Sequence, residues 1–291
     1  MDLCKSPTQS VDPQSPSGGT AATQSDGTPS NGTAAPQSDG TAVPQPDGTA
    51  APQSDGTQPD GPSVKTLFGT PSDGVQQAAQ DALKKADQDV VRDWEALLKK
   101  DRANDVLKAL DRIQWENKDI MALDVDAIVN TANAKLNFAE AGGISGALHK
   151  GIPKLHEAGQ EFNQSHGNLK PGEAVVFPID CKYKCIVHVL GPQIASNSTR
   201  TIQECKDLVQ SYDSVFDQVK NVNEKGGTIR SIGMPSISTG IFNYPLDEGT
   251  VIAVTRIIEG LINQQSLIVV MNRFNEKLVH GLVNLLVLSH S

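Results

Sequence analysis

The sequence predicts an α/β protein: a three-layer α/β/α sandwich, preceded by a low-complexity tail and amphipathic helices. Three observations predict it. From about residue 111 onward, short apolar runs alternate with helical patterns. Runs such as CIVHVL and LIVVM lack polar alternation, which suits strands covered on both faces. Two glycine-bearing stretches, VDAIVNTANAKLNFAEAGGISGALHK and SIGMPSISTGIFNYP, each read as a buried strand, a small-residue loop and a following helix. Such loops expose rows of backbone N–H groups, and the helix behind adds the positive end of its dipole, so together they suit a diphosphate.

Taken in order, the chain divides at 1–72, 73–110 and 111–291. Residues 1–72 hold a single aromatic, Phe68, and are dominated by Pro, Gly, Ser, Thr, Gln and Asp. They offer too little apolar surface to offset the entropy of ordering, so a disordered tail is expected. A short octapeptide repeat, PQSDGTAV, PQPDGTAA, PQSDGT, begins at Pro36, Pro44 and Pro52. Its period is too short and too polar for a solenoid unit, and a flexible spacer is preferred over a recognition array. Between 73 and 110, Ala79, Leu83, Ala86, Val90, Trp94 and Leu97 recur at helical spacing among charges. This predicts one amphipathic helix and a shorter one over 104–110, packed on the following domain in preference to a separate partner. Candidate strands cover 113–116, 127–130, 174–177, 185–190, 229–234 and 267–271. Candidate helices cover 145–158, 202–223, 246–262 and 276–288. Binding loops are expected at the carboxyl ends of the strands.

Composition narrows the function. The formal charge of −9 argues against general nucleic-acid binding, which needs a basic surface, but leaves open a nucleotide pocket of neutral donors. No secretory signal or bilayer-length apolar run is visible. Cys4, Cys181, Cys185 and Cys205 show no metal-binding spacing; no metal site is expected, and reduced thiols point to an intracellular protein, cytoplasmic or nuclear.

Four segments then converge. NKDIMALDVDAIVNTAN, GGISGALHK, GEAVVFPIDCKYKCIVHVLGP and SISTGIFNYP resemble, in order, the signature segments of the macro domain. The resemblance covers about 111–290, and its phrasing is similar to macro domains found in tandem within the larger poly(ADP-ribose) polymerase relatives; no transferase domain is expected here. It implies a mixed sheet of about six strands, a cleft for ADP-ribose, no cofactor, and ADP-ribose or ADP-ribosylated proteins as partners. It implies further that mono-ADP-ribose is hydrolysed from acidic side chains; the alternative is a reader without activity.

The resemblance also carries roles to particular residues. Asp119 stands where the family accepts the adenine amino group, with Ile120 as an adjacent backbone donor; an exposed loop aspartate is the alternative. Asn133 stands at the distal ribose and is the candidate catalytic residue, whereas Asn130 is expected to tie the strand end to the loop. Gly142, Gly143 and Ile144 match the first loop. Ser238, Thr239, Gly240, Ile241 and Phe242 match the second. Met271 and Asn272 fall at the adenine pocket, or in ordinary core. His188 reads as a core histidine and His149 as a weak catalytic candidate. Two positions depart from the family pattern: Ala141 replaces the first glycine of the usual triplet, and Ser145 replaces the aspartate of many hydrolytic members. A serine cannot act as a general base near neutral pH without a partner to take its proton. GISGA partly mimics a hydrolase nucleophile elbow, but the last glycine and the apolar strand before it are missing, and that reading is set aside.

Overall fold

A computed structural model describes residues 63, 66, 69, 71–137, 142–179 and 181–291. The tail expected at 1–72, with its repeats, and the Ala141 substitution lie almost wholly outside the described residues. Six strands form one mixed sheet in the order β1-β6-β5-β2-β4-β3. They are β1 (Ile113–Trp115), β2 (Ala127–Thr131), β3 (Ala174–Pro178), β4 (Cys185–Val189), β5 (Ser231–Pro235) and β6 (Ile268–Asn272). All neighbours run parallel except β3, which pairs antiparallel with β4.

The apolar runs behave as their patterning requires. Every residue of β4, β5 and β6 is buried, since helices cover both faces. Alternation of side chains sends Val129, Val187 and Val269 into one core and Ile128, Ile186 and Val270 into the other. One face is covered by α4 (Gly143–Gly151) and α5 (Lys154–His166), the other by α6 (Ile202–Glu224), α7 (Leu246–Asn263) and α8 (Glu276–His290). The buried ends of strands are satisfied by specific side chains. Asp126 accepts from the Arg230 and Ser231 amides (2.6 and 3.2 Å) and pairs with Lys184 at 2.7 Å, which joins the starts of β2, β4 and β5. Arg112 donates to the carbonyls of Leu261, Gln264 and Leu267, closing the carboxyl end of α7.

Two expected helices are each divided. The span expected at 145–158 becomes α4 and α5, because Pro153 has no amide to donate and interrupts the ladder after Ile152. The long amphipathic helix becomes α1 (Asp73–Lys85) and α2 (Gln88–Leu97), because Asp87 accepts from the Asp89 amide at 3.0 Å and so caps a new helix. The shorter helix is α3 (Ala103–Leu110). The strand expected at 229–234 starts two residues later; the Asn223 side chain holds both the amide and the carbonyl of Ile229 at the end of α6.

The amphipathic stripe faces the domain. Ala79, Val90, Trp94, Leu97, Val106 and Leu110 are all buried within the core formed by α7 and α8. Contact between α1 and α8 depends on Gly281, where an added methyl group would lie 2.7 Å from the Val75 carbonyl oxygen. Ion pairs join the same layers: Arg102 with Glu259 at 2.6 Å, and Arg256 with both Asp93 and Asp213. Among the described residues, no helix is long and apolar enough to cross a membrane. Trp94 is 2 % exposed, so Trp94→Ala is expected to destabilise the protein by about 3–5 kcal/mol. A urea titration showing an unchanged midpoint would remove α2 from the core.

Candidate functional site: a cleft between two amide-bearing loops

Parallel β2, β5 and β6 end on the same edge of the sheet, so the chain that follows each strand gathers there. A cavity of about 430 Å³ opens at this edge. Its lining brings together Asn133, Gly142, Gly143, Ile144 and Ser145 after β2 with Ser238, Thr239, Gly240, Ile241 and Phe242 after β5. Segments far apart in sequence thus form opposite walls. They meet at Ile241: methyl groups built on Gly142 and Gly143 would lie 3.5 and 3.7 Å from its Cδ1.

Both walls carry amides for which no described residue is an acceptor. Helix α4 starts at Gly143 (φ 61°), and its cap residue Gly142 has no side chain to satisfy the first turn. The first helical bond runs from the Gly146 amide to the Gly142 carbonyl at 3.3 Å. The amides of Gly143, Ile144 and Ser145 therefore precede the ladder and carry the positive end of the helix. In the second loop, Asn243 and Tyr244 donate back to Gly240 and Ser238 (both 3.0 Å), which turns the loop on itself. No described residue accepts from the amides of Thr239, Gly240 or Ile241. The Tyr212 hydroxyl accepts from the Ile237 amide at 3.0 Å and fixes the loop from α6. Ser238 and Asn243 adopt left-handed φ values of 63° and 56°, and Arg273 one of 59°. For serine and arginine that conformation carries a cost, so the rest of the fold must hold it.

Polar groups behind the walls have distinct tasks. Asn133 lines the cavity, accepts from the Asn137 amide at 3.0 Å and donates to the Asn137 carbonyl at 2.6 Å. One N–H and one lone pair of its amide remain for a ligand. Asn130 is buried and donates to Nδ1 of His188 at 2.9 Å and, more weakly, to Oγ of Ser145 at 3.4 Å. It joins β2, β4 and the start of α4. Burial pushes the His188 pKa down to about 3, so the ring is neutral. His149 lies on α4 against His156, with ring centres 5.6 Å apart, and is not part of the lining.

The residues expected at the adenine are not among those that line this cavity. Asp119 and Ile120 are outside the cavity lining; the Asp119 carboxylate accepts from the Met121 amide at 2.9 Å and caps a short turn, Ile120–Ala122. Met271 is core, 1 % exposed, and Asn272 donates to the Glu116 and Lys118 carbonyls at 2.8 and 3.0 Å. Tyr183, whose pKa burial raises to about 12, donates to the Met121 carbonyl at 2.7 Å. Asn272 and Tyr183 thus pin the segment that carries Asp119. Sequence reasoning missed Thr131, Ala132, Pro235, Ser236, Leu246 and Arg273, all of which line the cavity. A strand's last residue and its successor are obvious candidates once the strand end is known; for Arg273 the expected end of β6 was one residue short. Among the described lining residues Arg273 alone is ionisable. No group of three His, Cys, Asp or Glu among the described residues could hold a metal ion.

The chain resembles known proteins both in sequence and in structure. The sequence model of the Macro domain family matches residues 129–253. The chain is 39% identical over 141 residues to an uncharacterized protein of Fusobacterium nucleatum, covering 47% of this chain and 72% of that one. It is 34% identical over 158 residues to a Salmonella gallinarum protein named O-acetyl-ADP-ribose deacetylase, covering 54% of this chain and 82% of that protein. Among solved structures it resembles a mutant Oceanobacillus iheyensis macrodomain with ADPR: 28% identity, TM-score 0.51, over 60% of this chain and 91% of the other.

The buried histidine gives a pH signature. The folded pKa of His188 lies below its unfolded value of 6.5, so the unfolded chain binds the extra proton. Its contribution to stability is intact above about pH 6.5 and is lost as pH falls towards about 3, at about 1.4 kcal/mol per pH unit. Denaturant titrations between pH 7 and pH 5 should show that slope, and His188→Gln should reduce it.

Proposed function

The chain belongs to the macro-domain family, and we propose that its cleft binds ADP-ribose, free or attached to protein. The observation that carries this reading is the pair of loops whose uncommitted amides face one cavity across the Ile241 contact. A diphosphate supplies the acceptors those amides lack. Gly143, Ile144 and Ser145 would hold it from the α4 side, and Thr239, Gly240 and Ile241 from the other, with Phe242 beside the distal ribose. Neutral donors suit this task because they are fixed before the ligand arrives and no desolvated lysine is needed. The free N–H and lone pair of Asn133 would orient the distal ribose hydroxyls. The second carboxylate oxygen of Asp119 would accept from the adenine amino group, on a segment that Asn272 and Tyr183 hold in place. Inside the cell, where the free thiols of Cys181, Cys185 and Cys205 stay reduced, the partners would be ADP-ribosylated proteins.

A second reading adds hydrolysis of an ester on the distal ribose. It is favoured by the 34% identity to the Salmonella gallinarum O-acetyl-ADP-ribose deacetylase. An acetyl ester of ribose and a glutamyl or aspartyl ester of ADP-ribose offer the same carbonyl chemistry. Water adds to the ester carbon, the bond to the ribose oxygen breaks, and that oxygen takes a proton. Loop amides would stabilise the developing oxyanion. Among the described lining residues no carboxylate or imidazole stands ready to take the water's proton, and Ser145 cannot replace one. A ligand phosphate oxygen is the remaining base. Such hydrolysis is slow, and its rate is set by positioning more than by proton transfer.

Calorimetry should give a micromolar dissociation constant for ADP-ribose, about −8 kcal/mol, with AMP much weaker. A Cβ on Gly240 meets nothing within 4 Å, so Gly240→Glu should fold normally while its carboxylate repels the diphosphate and abolishes binding. Unchanged affinity in that variant would remove the second loop from the site. For the hydrolytic reading, Asn133→Ala should cut turnover by at least about tenfold while Kd changes much less, the mark of a contact made mainly in the transition state. Tight binding with no release from O-acetyl-ADP-ribose or from mono-ADP-ribosylated glutamate would leave a reader.

A further inference from the structure

We propose that Arg273 is the counter-ion of the cleft, a ligand-contacting residue that pairs with the anionic part of the bound diphosphate and sets its affinity. This deepens the ADP-ribose reading and rests on it for the identity of the ligand. Four observations converge on this side chain.

First, Arg273 lines the cavity together with Pro235, Ser236 and Thr239, and it is the ionisable residue among the described lining. Second, its place is fixed by the ladder. Pro235 pairs with Asn272, so Arg273 leaves β6 one residue beyond the end of β5, beside the loop whose amides at 239–241 are uncommitted. Third, it is exposed and makes no hydrogen bond or ion pair with any described residue. Arg92, Arg102, Arg112, Arg200 and Arg256 each have a carboxylate or carbonyl partner; Arg230, just before the start of β5 and outside the cavity lining, is the other described arginine whose side chain has none. Fourth, its backbone is left-handed, with φ 59°, a conformation glycine or asparagine adopts far more readily. Arginine therefore does nothing for the fold at this position that a smaller residue would not do better.

Chemistry explains what it could do instead. A guanidinium carries a planar fork of N–H donors that fits two phosphate oxygens at once. The protein carries a formal charge of −9, so a ligand with two negative charges approaches against the overall field. A single cation beside the amide cradle offsets that repulsion where the diphosphate sits. With neutral amides alone, salt would leave affinity level or raise it by screening the protein's negative field, whereas a cation in contact with the ligand makes affinity fall as ionic strength rises.

The test is a titration of ADP-ribose and, separately, inorganic pyrophosphate into wild type, Arg273→Gln and Arg273→Lys at about 50 and about 300 mM salt, with thermal melting of Arg273→Gly. Wild-type affinity for ADP-ribose should weaken with salt. Arg273→Gln should bind about tenfold more weakly, as expected for loss of one charged hydrogen-bonding pair, with the salt dependence flattened. Arg273→Lys should fall between, keeping the charge without the fork. Arg273→Gly should melt at or above the wild-type temperature while binding as weakly as Arg273→Gln. Affinity of Arg273→Gln within about twofold of wild type, with the same salt dependence, would overturn the proposal; so would a marked drop in melting temperature for Arg273→Gly. If wild type binds pyrophosphate through Arg273 but not ADP-ribose, the counter-ion role stands and the ADP-ribose reading fails. If it binds neither, both fail.

Discussion

Everything at the cleft depends on one constraint: β2, β5 and β6 run in the same direction and lie next to, or one strand away from, each other. Strands that run the same way end on the same edge: β5 leaves it through α7 towards parallel β6, β2 leaves it through α4 and α5 towards antiparallel β3, and β6 leaves it into α8. All the loops that leave the carboxyl ends are thereby collected on one side, and the helix that follows each loop aims its amino end at the same place. The cleft is the common mouth of these loops. Its donors are backbone amides because the loops are occupied with turning the chain, and glycine at 142 and 143 lets Ile241 approach from the other wall.

A layer behind the mouth keeps it rigid. Asn130 links β2 to His188 on β4 and to Ser145 on α4; Tyr212 reaches from α6 to the second loop; Asn272 holds the segment that precedes Asp119. None of these three needs to touch a ligand. Each converts a flexible segment into one with a fixed direction for its amides or its carboxylate, and fixed dipoles cost no reorganisation when an anion arrives. The left-handed residues Ser238, Asn243 and Arg273 show where the surrounding structure imposes its geometry on the chain.

The helices ahead of the first strand belong to the same construction. Helix α7 is buried over most of its length, which is possible only because α1, α2 and α3 cover the side that the sheet does not. Arg200 is part of that contact: it joins Glu248, in the first turn of α7, to Asp87, the cap of α2. Glu248 lies four residues after Tyr244, which closes the second loop. The segment 73–110 thus supports the element that carries one wall of the cleft.

The amino-acid sequence by itself determined the fold class, the position of all six strands to within about two residues, and most of the residues on the two loops. Those features are written locally: unbroken apolar runs, glycine at loops, and a helical stripe from Ala79 to Leu97 are properties of neighbours along the chain. Local reading erred where a single residue overrode the pattern, as Pro153 and Asp87 did by ending one helix and starting another. What only tertiary structure decided is which segments face each other. The meeting of Ile241 with Gly142 and Gly143, the withdrawal of Met271 into the core, the use of Asn133 by the Asn137 backbone and the exposure of Arg273, without a partner among the described residues, all follow from strand order and register. No periodicity in the sequence encodes them, because each joins residues that the chain keeps apart or reverses the direction of one side chain at a strand end. A shift of one residue in where β6 stops is enough to exchange core for cleft.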